Sequence, residues 1–354
     1  ISEETAAVLA AEVFRLTSAY DQAIREYLSG PENKGAQEAK GFPDSLCLEF
    51  RKIQDLRYGE NPHQGAAFYK SKPFPRGLAN LKQLQGKELS YNNILDLNSV
   101  WELINEFTGP AAVIVKHNNP CGVAEAKDLS LAFNSAHACD PLSAFGGIVG
   151  VNRPLDAKTA GIIFASGFLE CIIAPGFSRG AREIFAPRKN LRLLELKDAA
   201  PAREYDYKKV SGGLLLQDKD IPTLVKNSLK VVTRKKPTKI QLASLLFAWK
   251  VAKHVKSNAI VLARGSKTVG IGAGQMSRVD SMIIARRKAG KNAGNSCLAS
   301  DAFFPKTDAI VEAARAGVAA IIQPGGSVAD AEIIAACDKY KIAMVTTGMR
   351  HFRH

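Results

Sequence analysis

Long apolar runs are missing from this sequence: no segment approaches the roughly 18 residues that cross a bilayer as a helix. The opening ISEETAAVLAAEVF has neither a basic n-region nor a small-residue cleavage site, so nothing in it directs secretion. The six cysteines (Cys47, Cys121, Cys139, Cys171, Cys297, Cys337) form no C-x-x-C and no Cys/His ligand spacing, which argues against a zinc site and a disulfide framework. They read as reduced, mostly buried small hydrophobes of a cytosol-like compartment, either the cytoplasm or an organelle interior. Also absent are the Lys-Ser/Thr of a P-loop, the spacing of a dinucleotide glycine fingerprint, and any RNA- or DNA-binding module signature.

Acid is scarce too. Asp and Glu number 34 against 48 Lys and Arg, a formal charge of +14 that suits nucleic acid, anionic lipid or small polyanionic substrates. The charge is dispersed, and its short clusters, Arg234-Lys235-Lys236 and Arg286-Arg287-Lys288, read as solvated faces. What is plentiful is apolar material, 46% of 354 residues, enough for two compact cores and too much chain for one. The start at Ile1, directly inside a helical pattern, reads as a module cut from a longer protein.

That pattern predicts a helix over Thr5–Leu28, burying Val8, Ala11, Val13, Phe14 and Ala19, stopped by Gly30-Pro31 and followed by a polar linker from Glu32 to Lys40. Leu46–Phe50 reads as a strand, Ile94–Phe107 as a helix, and Ala111–Val115 as a buried strand of the parallel-sheet kind. Helices over 129–139 and 157–164 alternate with strands over 147–151, 171–174 and 191–196. Residues 208–217 are extended. The second half repeats the grammar: helices over 239–255, 278–288, 307–316 and 328–339, strands over 259–263, 268–271, 297–299, 319–322 and 343–345. The expected division is a connector helix and linker over 1–45, a first α/β lobe over 46–236, and a helical element with a second α/β lobe over 237–354. A faint echo between DPLSAF (140–145) and SDAFFP (300–305) hints at duplication.

Lys116 and His117 stand where the apolar strand ends and Asn118-Asn119-Pro120-Cys121-Gly122 begins, a stretch that reads as a turn. In a continuing strand the two side chains would point to opposite faces; leaving strand geometry lets them share a pocket at the carboxyl end of a strand, where open α/β sheets place their sites. Taken alone, the pair suits a surface Lys beside a surface His better. Other constellations shift the balance. Arg57 and Tyr58 lead a run with Asn61, His63 and Gln64, dense in directional hydrogen-bonding groups. The glycine-rich Gly270–Arg278 joins a strand to a helix, where backbone N–H groups can approach an anion and Arg278 can add a bidentate contact. Arg350-His351-Phe352-Arg353-His354 is rich in anion-binding and proton-carrying groups, although chain ends usually fray. Asn258, Glu170 and Phe145-Gly146-Gly147 are ambiguous by themselves.

Together LRYGENPHQ (56–64), LSYNNILDLNSVW (89–101), VKHNNPCGVA (115–124), DPLSAFGG (140–147), CIIAPGF (171–177), SNAIVLA (257–263), GIGAGQMSR (270–278), SDAFFP (300–305) and RHFRH (350–354) resemble, in order and from about residue 10 to the last, the AICAR transformylase module of bifunctional purine-biosynthesis enzymes. The resemblance implies two cytidine-deaminase-like α/β/α lobes, related by duplication, with an added helical element. It implies formyl transfer from 10-formyltetrahydrofolate to the amine of AICAR with no catalytic metal, in a homodimer whose sites lie at the subunit interface. By residue, it implies Lys116 and His117 as the catalytic pair. Arg57, Tyr58, Asn93, Phe145, Gly146, Glu170, Asn258, Arg278, Phe303, Phe304, Arg350 and His354 would be substrate-binding residues, Glu170 facing the carboxamide. In that reading His117 is the general base and Lys116 supports the developing oxyanion or the departing folate nitrogen. The cyclohydrolase module of such enzymes has no counterpart here, and the first helix resembles only the connector that follows it.

Two rival readings compete. A basic non-catalytic subunit that binds nucleic acid or stabilises an assembly has no need of Lys116 with His117. A metal-dependent deaminase lacks its Cys/His/Glu zinc signature.

Overall fold

A computed structural model describes residues 1–28, 42–71, 77–197, 205–221, 224 and 229–354. The chain forms two compact units, 1–50 and 51–354. In the first, α1 (Glu3–Leu28) bears acids in its first turn and a base in its last, matching the helix dipole. The stripe expected to be buried is not: Val8, Val13 and Phe14 are 65%, 56% and 73% exposed. The described residues of this unit supply no second element on which such a stripe could close. The expected stop at Gly30-Pro31 and the linker 32–40 lie outside the described residues.

The second unit is built on two six-stranded mixed sheets, each flanked by helices. In chain order the first half runs β1 (Phe50–Leu56), β2 (Ala66–Ser71), β3 (Lys82–Gln85), α2 (Tyr91–Ile104), β4 (Ala111–Lys116), β5 (Asn119–Glu125), α3 (Leu129–His137) and α4 (Pro141–Ala144). It continues through β6 (Ile148–Val151), α5 (Ala157–Ala165), β7 (Cys171–Ala174), α6 (Arg179–Phe185) and β8 (Arg192–Glu195). A hairpin of β9 (Tyr205–Val210) and β10 (Gly213–Asp218) precedes the second half. That half runs β11 (Lys230–Val231), α7 (Lys239–Ala252), β12 (Ile260–Ala263), β13 (Thr268–Gly272), α8 (Arg278–Ala289), β14 (Cys297–Ser300), α9 (Asp308–Arg315), β15 (Ala320–Gln323), α10 (Asp330–Lys339) and β16 (Ala343–Thr346).

The sheet orders are β3-β8-β7-β6-β4-β5 and β11-β16-β15-β14-β12-β13. They are one topology used twice. In each, a hairpin (β4–β5, β12–β13) pairs antiparallel with the next strand (β6, β14), two parallel neighbours follow, and the strand preceding the first helix closes the far edge antiparallel. The duplication is therefore real, but the sequence echo that hinted at it is not part of it. Residues 140–145 precede β6, whereas residues 300–305 follow β14, the strand equivalent to β6.

Strand alternation sorts the core. Ala111, Val113 and Val115 of β4, with Val261 and Ala263 of β12, face one apolar cluster that also holds α2 and α7. Ala112 and Ile114 turn instead toward α3, α5 and α6, and Ile260 and Leu262 toward α8, α9 and α10. The sheets meet edge to edge: Ala124 of β5 bridges antiparallel to Lys267, Glu125 N–H donates to Ser266 O, and Val123 N–H donates to Thr268 Oγ1 at 2.9 Å. Five cysteines are buried and Cys47 is exposed, all of them free thiols; burial pushes Cys121 and Cys337 up to about 12. No helix of the described residues is long and apolar enough to cross a membrane.

Several expected elements shift. The strand expected over 46–50 runs over Phe50–Leu56, and α6 was not foreseen. The stretch 118–122, expected as a turn, shrinks to His117-Asn118 followed by β5; Pro120 sits at a register shift in the ladder, where its missing N–H costs little.

Candidate active site

The turn between β4 and β5 consists of His117 and Asn118 alone. His117 and Asn118 both adopt left-handed backbone, with φ of 53° and 59°. Asp96, one turn into α2, accepts both of their amides: Asn118 N–H at 2.6 Å on Oδ1 and His117 N–H at 3.3 Å on Oδ2. Burial raises the Asp96 carboxyl, while these two amides work against that rise. The sequence reading passed over Asp96, although an acid inside the apolar and amide-rich LSYNNILDLNSVW was a visible signal.

Leaving strand geometry separates the fates of the pair. The Lys116 ammonium reaches Phe145 O at 2.7 Å, at the end of α4, where Gly146 takes a φ of 70° and its N–H donates to Phe168 O. His117 is exposed, and among the described residues its imidazole makes no hydrogen bond. Both side chains line a cleft of about 280 Å³ at the junction of the two sheets. Its other walls include Asn119, Ser143, Gln275 and Lys288, the last from α8. Lys288 bonds Asp140, which also caps α4 through Ser143 N–H, so this basic cluster is not a solvated face throughout: Arg286 likewise pairs with Glu312 at 3.0 Å. A cavity of about 310 Å³ elsewhere in this unit is lined by Phe107, Phe247, Trp249 and Lys253, but Lys253 is already paired with Glu106 there at 2.5 Å. Size does not choose between them; the accessible imidazole does.

The other candidates are not among the residues that line this cleft, and they fall into groups. Arg57 lies over the Tyr58 ring at 5.4 Å, and their loop is closed by Gly59 N–H to Gln64 O and moored to α2 by Asn92 Nδ2 on Glu60 O at 3.3 Å. Asn93 is buried next to that mooring, in a capping box with Ser90. Glu170 is linked to Gly147 through its N–H, and its carboxylate is held by Arg192 at 2.7 Å. Phe145 stacks obliquely against Phe168, centroids 5.6 Å apart.

In the second half, Asn258 pins the glycine turn through Nδ2 on Gln275 O and Met276 O, and its Oδ1 accepts from Arg278 Nη2 at 2.8 Å. Arg278 is buried, and its Nη1 serves Ser300 Oγ and the fully buried Asp301. Its guanidinium thus organises the wall of the turn. Nor do Gly270 and Gly272 open a cradle: a Cβ at either would stand 2.2 or 1.9 Å from Ala285 O or Ser281 O, so they admit α8 against β13. By register Gly122 is the equivalent of Gly270, facing Leu262's counterpart Ile114, and a Cβ there would stand 1.9 Å from Ala136 O. Phe304 is fully buried in the second lobe's core, whereas Phe303 stays partly exposed at 36%.

The C-terminal pentapeptide, expected to fray, is knitted in. Ser257 N–H donates to Arg353 O, His351 N–H donates to Asp301 O, Arg353 bonds Glu102 at 2.9 Å, and buried His351 holds Asp220 at 2.6 Å. His354 O accepts from Lys256 at 2.6 Å and Lys208 at 3.2 Å, while Arg350 is exposed, its guanidinium over Phe352. Among the described residues no group of three or more His, Cys, Asp or Glu stands together as a metal site.

Residues 1–288 match the sequence profile of the AICARFT/IMPCHase bienzyme family. The bifunctional purine biosynthesis protein PurH of Magnetococcus marinus is 51% identical over 364 residues, an alignment that takes in 98% of this chain and 68% of that protein.

Proposed function

The chain belongs to the AICARFT/IMPCHase bienzyme family, and from that membership and the cleft geometry we propose that it transfers a formyl group from 10-formyltetrahydrofolate to the 5-amino group of AICAR. The observation that carries this reading is the exposed imidazole of His117 beside a tethered Lys116 ammonium in one cleft. An aromatic amine is a weak nucleophile because its lone pair is delocalised into ring and carboxamide. His117 takes the amine proton as the nitrogen attacks the formyl carbon, forming the new C–N bond. Lys116 stabilises the oxyanion that develops and gives a proton to the folate nitrogen as the old C–N bond breaks. The tether to Phe145 O restricts where that ammonium points, which is the geometric support for the second role.

The remaining residues carried over from the resemblance serve binding in this reading. Arg57 and Tyr58 sit on the loop moored to α2, Glu170, paired with Arg192, meets the carboxamide, and Lys288 adds positive charge to a cleft that receives two anionic substrates. Asn258 and Arg278 hold the opposite wall in shape as well as meeting ligand. Phe303, Arg350 and His354 complete the set, with Phe304 backing them from the buried core, in a homodimer whose interface contributes to each site. Steady-state assay of this chain with AICAR and 10-formyltetrahydrofolate tests the proposal: folate-dependent formyl-AICAR production is expected. Salt-sensitive RNA binding without turnover would favour the scaffold instead.

A further inference from the structure

The β4–β5 turn holds two consecutive non-glycine residues in left-handed backbone, a conformation that side-chain-bearing residues adopt at a cost. A single carboxylate spans both amides, one oxygen to each. We propose that Asp96 is a positioning residue for the formyl transfer, its two acceptor oxygens holding the His117-Asn118 turn so that the imidazole projects into the cleft. This rests on the reading of His117 as the base. Lys116 is secured separately by Phe145 O, so the turn is what sets the ring's placement relative to the ammonium. Asp96 is half-buried and both of its carboxylate oxygens are taken up by the turn amides, and Asn118 reinforces the arrangement through its side chain on Ser99.

Loss of the carboxylate releases two amides and lets both residues relax toward ordinary φ, swinging the ring away from the amine. Displacements of about 1 Å at a reacting group cost on the order of a hundredfold in rate. In Asp96→Asn one acceptor oxygen survives, so a smaller loss follows than in Asp96→Ala.

Both variants of the full chain are assayed for kcat and KM, with amide hydrogen exchange over residues 116–119 measured in parallel. The expected kcat falls about tenfold in Asp96→Asn and about a hundredfold in Asp96→Ala, with KM for AICAR within about twofold. Exchange at 117 and 118 accelerates by about tenfold or more while the sheet amides of 112–115 keep their protection. A kcat within about twofold of the parent in Asp96→Ala, or unchanged exchange at the turn, overturns the proposal. So does a rise in KM with kcat intact, which would make Asp96 a binding group. If Asp96→Ala fails to fold, Asp96→Asn carries both readouts. A parent chain without any formyl transfer refutes the function proposed above, and the exchange data then decide the turn by themselves: retained protection at 117 and 118 in Asp96→Asn rejects Asp96 as its support.

Discussion

His117 and Arg278 show how differently two candidate residues can be placed. His117 is exposed on a turn and its imidazole makes no hydrogen bond among the described residues, so its removal tests chemistry with little disturbance to packing. His117→Ala and Lys116→Ala are each expected to lower kcat by about 10² to 10⁴-fold, with melting temperatures close to the parent's. A rate near the parent's in His117→Ala would remove it from the mechanism. Arg278 is the opposite case, a buried guanidinium serving Asn258, Ser300 and Asp301. Arg278→Ala leaves Asp301 charged and fully buried, and a loss of about 3–5 kcal/mol in unfolding free energy is expected. Urea denaturation measures it. A change under about 1 kcal/mol would mean that Asp301 finds another partner or is neutral.

Elements are kept in place here by what is left out of the strands. Gly122 in β5 and its counterpart Gly270 in β13 each allow a helix, α3 or α8, to lay a backbone carbonyl where a Cβ would otherwise stand. Gly122→Ala and Gly270→Ala therefore force strand and helix apart, with an expected destabilisation of about 1–3 kcal/mol each. Gly161 in α5 is the control: a Cβ there meets nothing within 4 Å, so Gly161→Ala is expected to be neutral or to stabilise by up to about 1 kcal/mol. Thermal melts of the three variants decide it; equal effects at all three positions would refute the packing argument. Gly270 and Gly272 together explain why a glycine-rich motif at a strand-to-helix junction resembled an anion cradle. In sequence, close helix approach and ligand approach demand the same residue.

The two lobes are joined by charge as well as by the shared apolar cluster. Glu106, following α2, binds Lys253 at 2.5 Å and His254 at 3.1 Å, both following α7; Glu102 binds Arg353 and Lys219. Burial by itself would raise both carboxyls, but these hydrogen-bonding and charged partners outweigh it and bring each down to about 2. A depressed carboxyl contributes stability that is complete above its unfolded value of 4.5 and is lost as pH falls through the folded value near 2. The melting temperature is accordingly expected to fall from about pH 4.5 downward, and Glu102→Gln with Glu106→Gln should flatten that limb while lowering stability at neutral pH. Burial also depresses His254, against the pull of Glu106, so the unfolded chain takes its proton first and stability begins to decline as pH falls below 6.5. A melting temperature independent of pH between 7 and 3 would mean that these groups are not held as described.

Helical periodicity was enough to recover most helices, and continuous apolar runs the buried strands, because both signals are local, as in α9, β4 and β15. Local pattern was misleading at 118–122, where Asn-Asn-Pro is turn chemistry that pairing with β4 overrides, and at α1, whose apolar stripe carries no information about a partner surface. Lys116 and His117 were legible as residues with the right chemistry at a strand end, whereas Asp96 was not singled out. That Asp96 reaches both turn amides, that the C-terminal residues are woven into the wall behind Asn258, and that Glu106 meets Lys253 across nearly 150 positions was not. Sequence by itself determined the elements, the family and the chemical groups available, since these depend on neighbours in the chain. Only the tertiary structure decided which groups stay accessible and which are consumed in holding others, because burial, hydrogen bonding and charge pairing act between residues that the chain separates and the fold brings together.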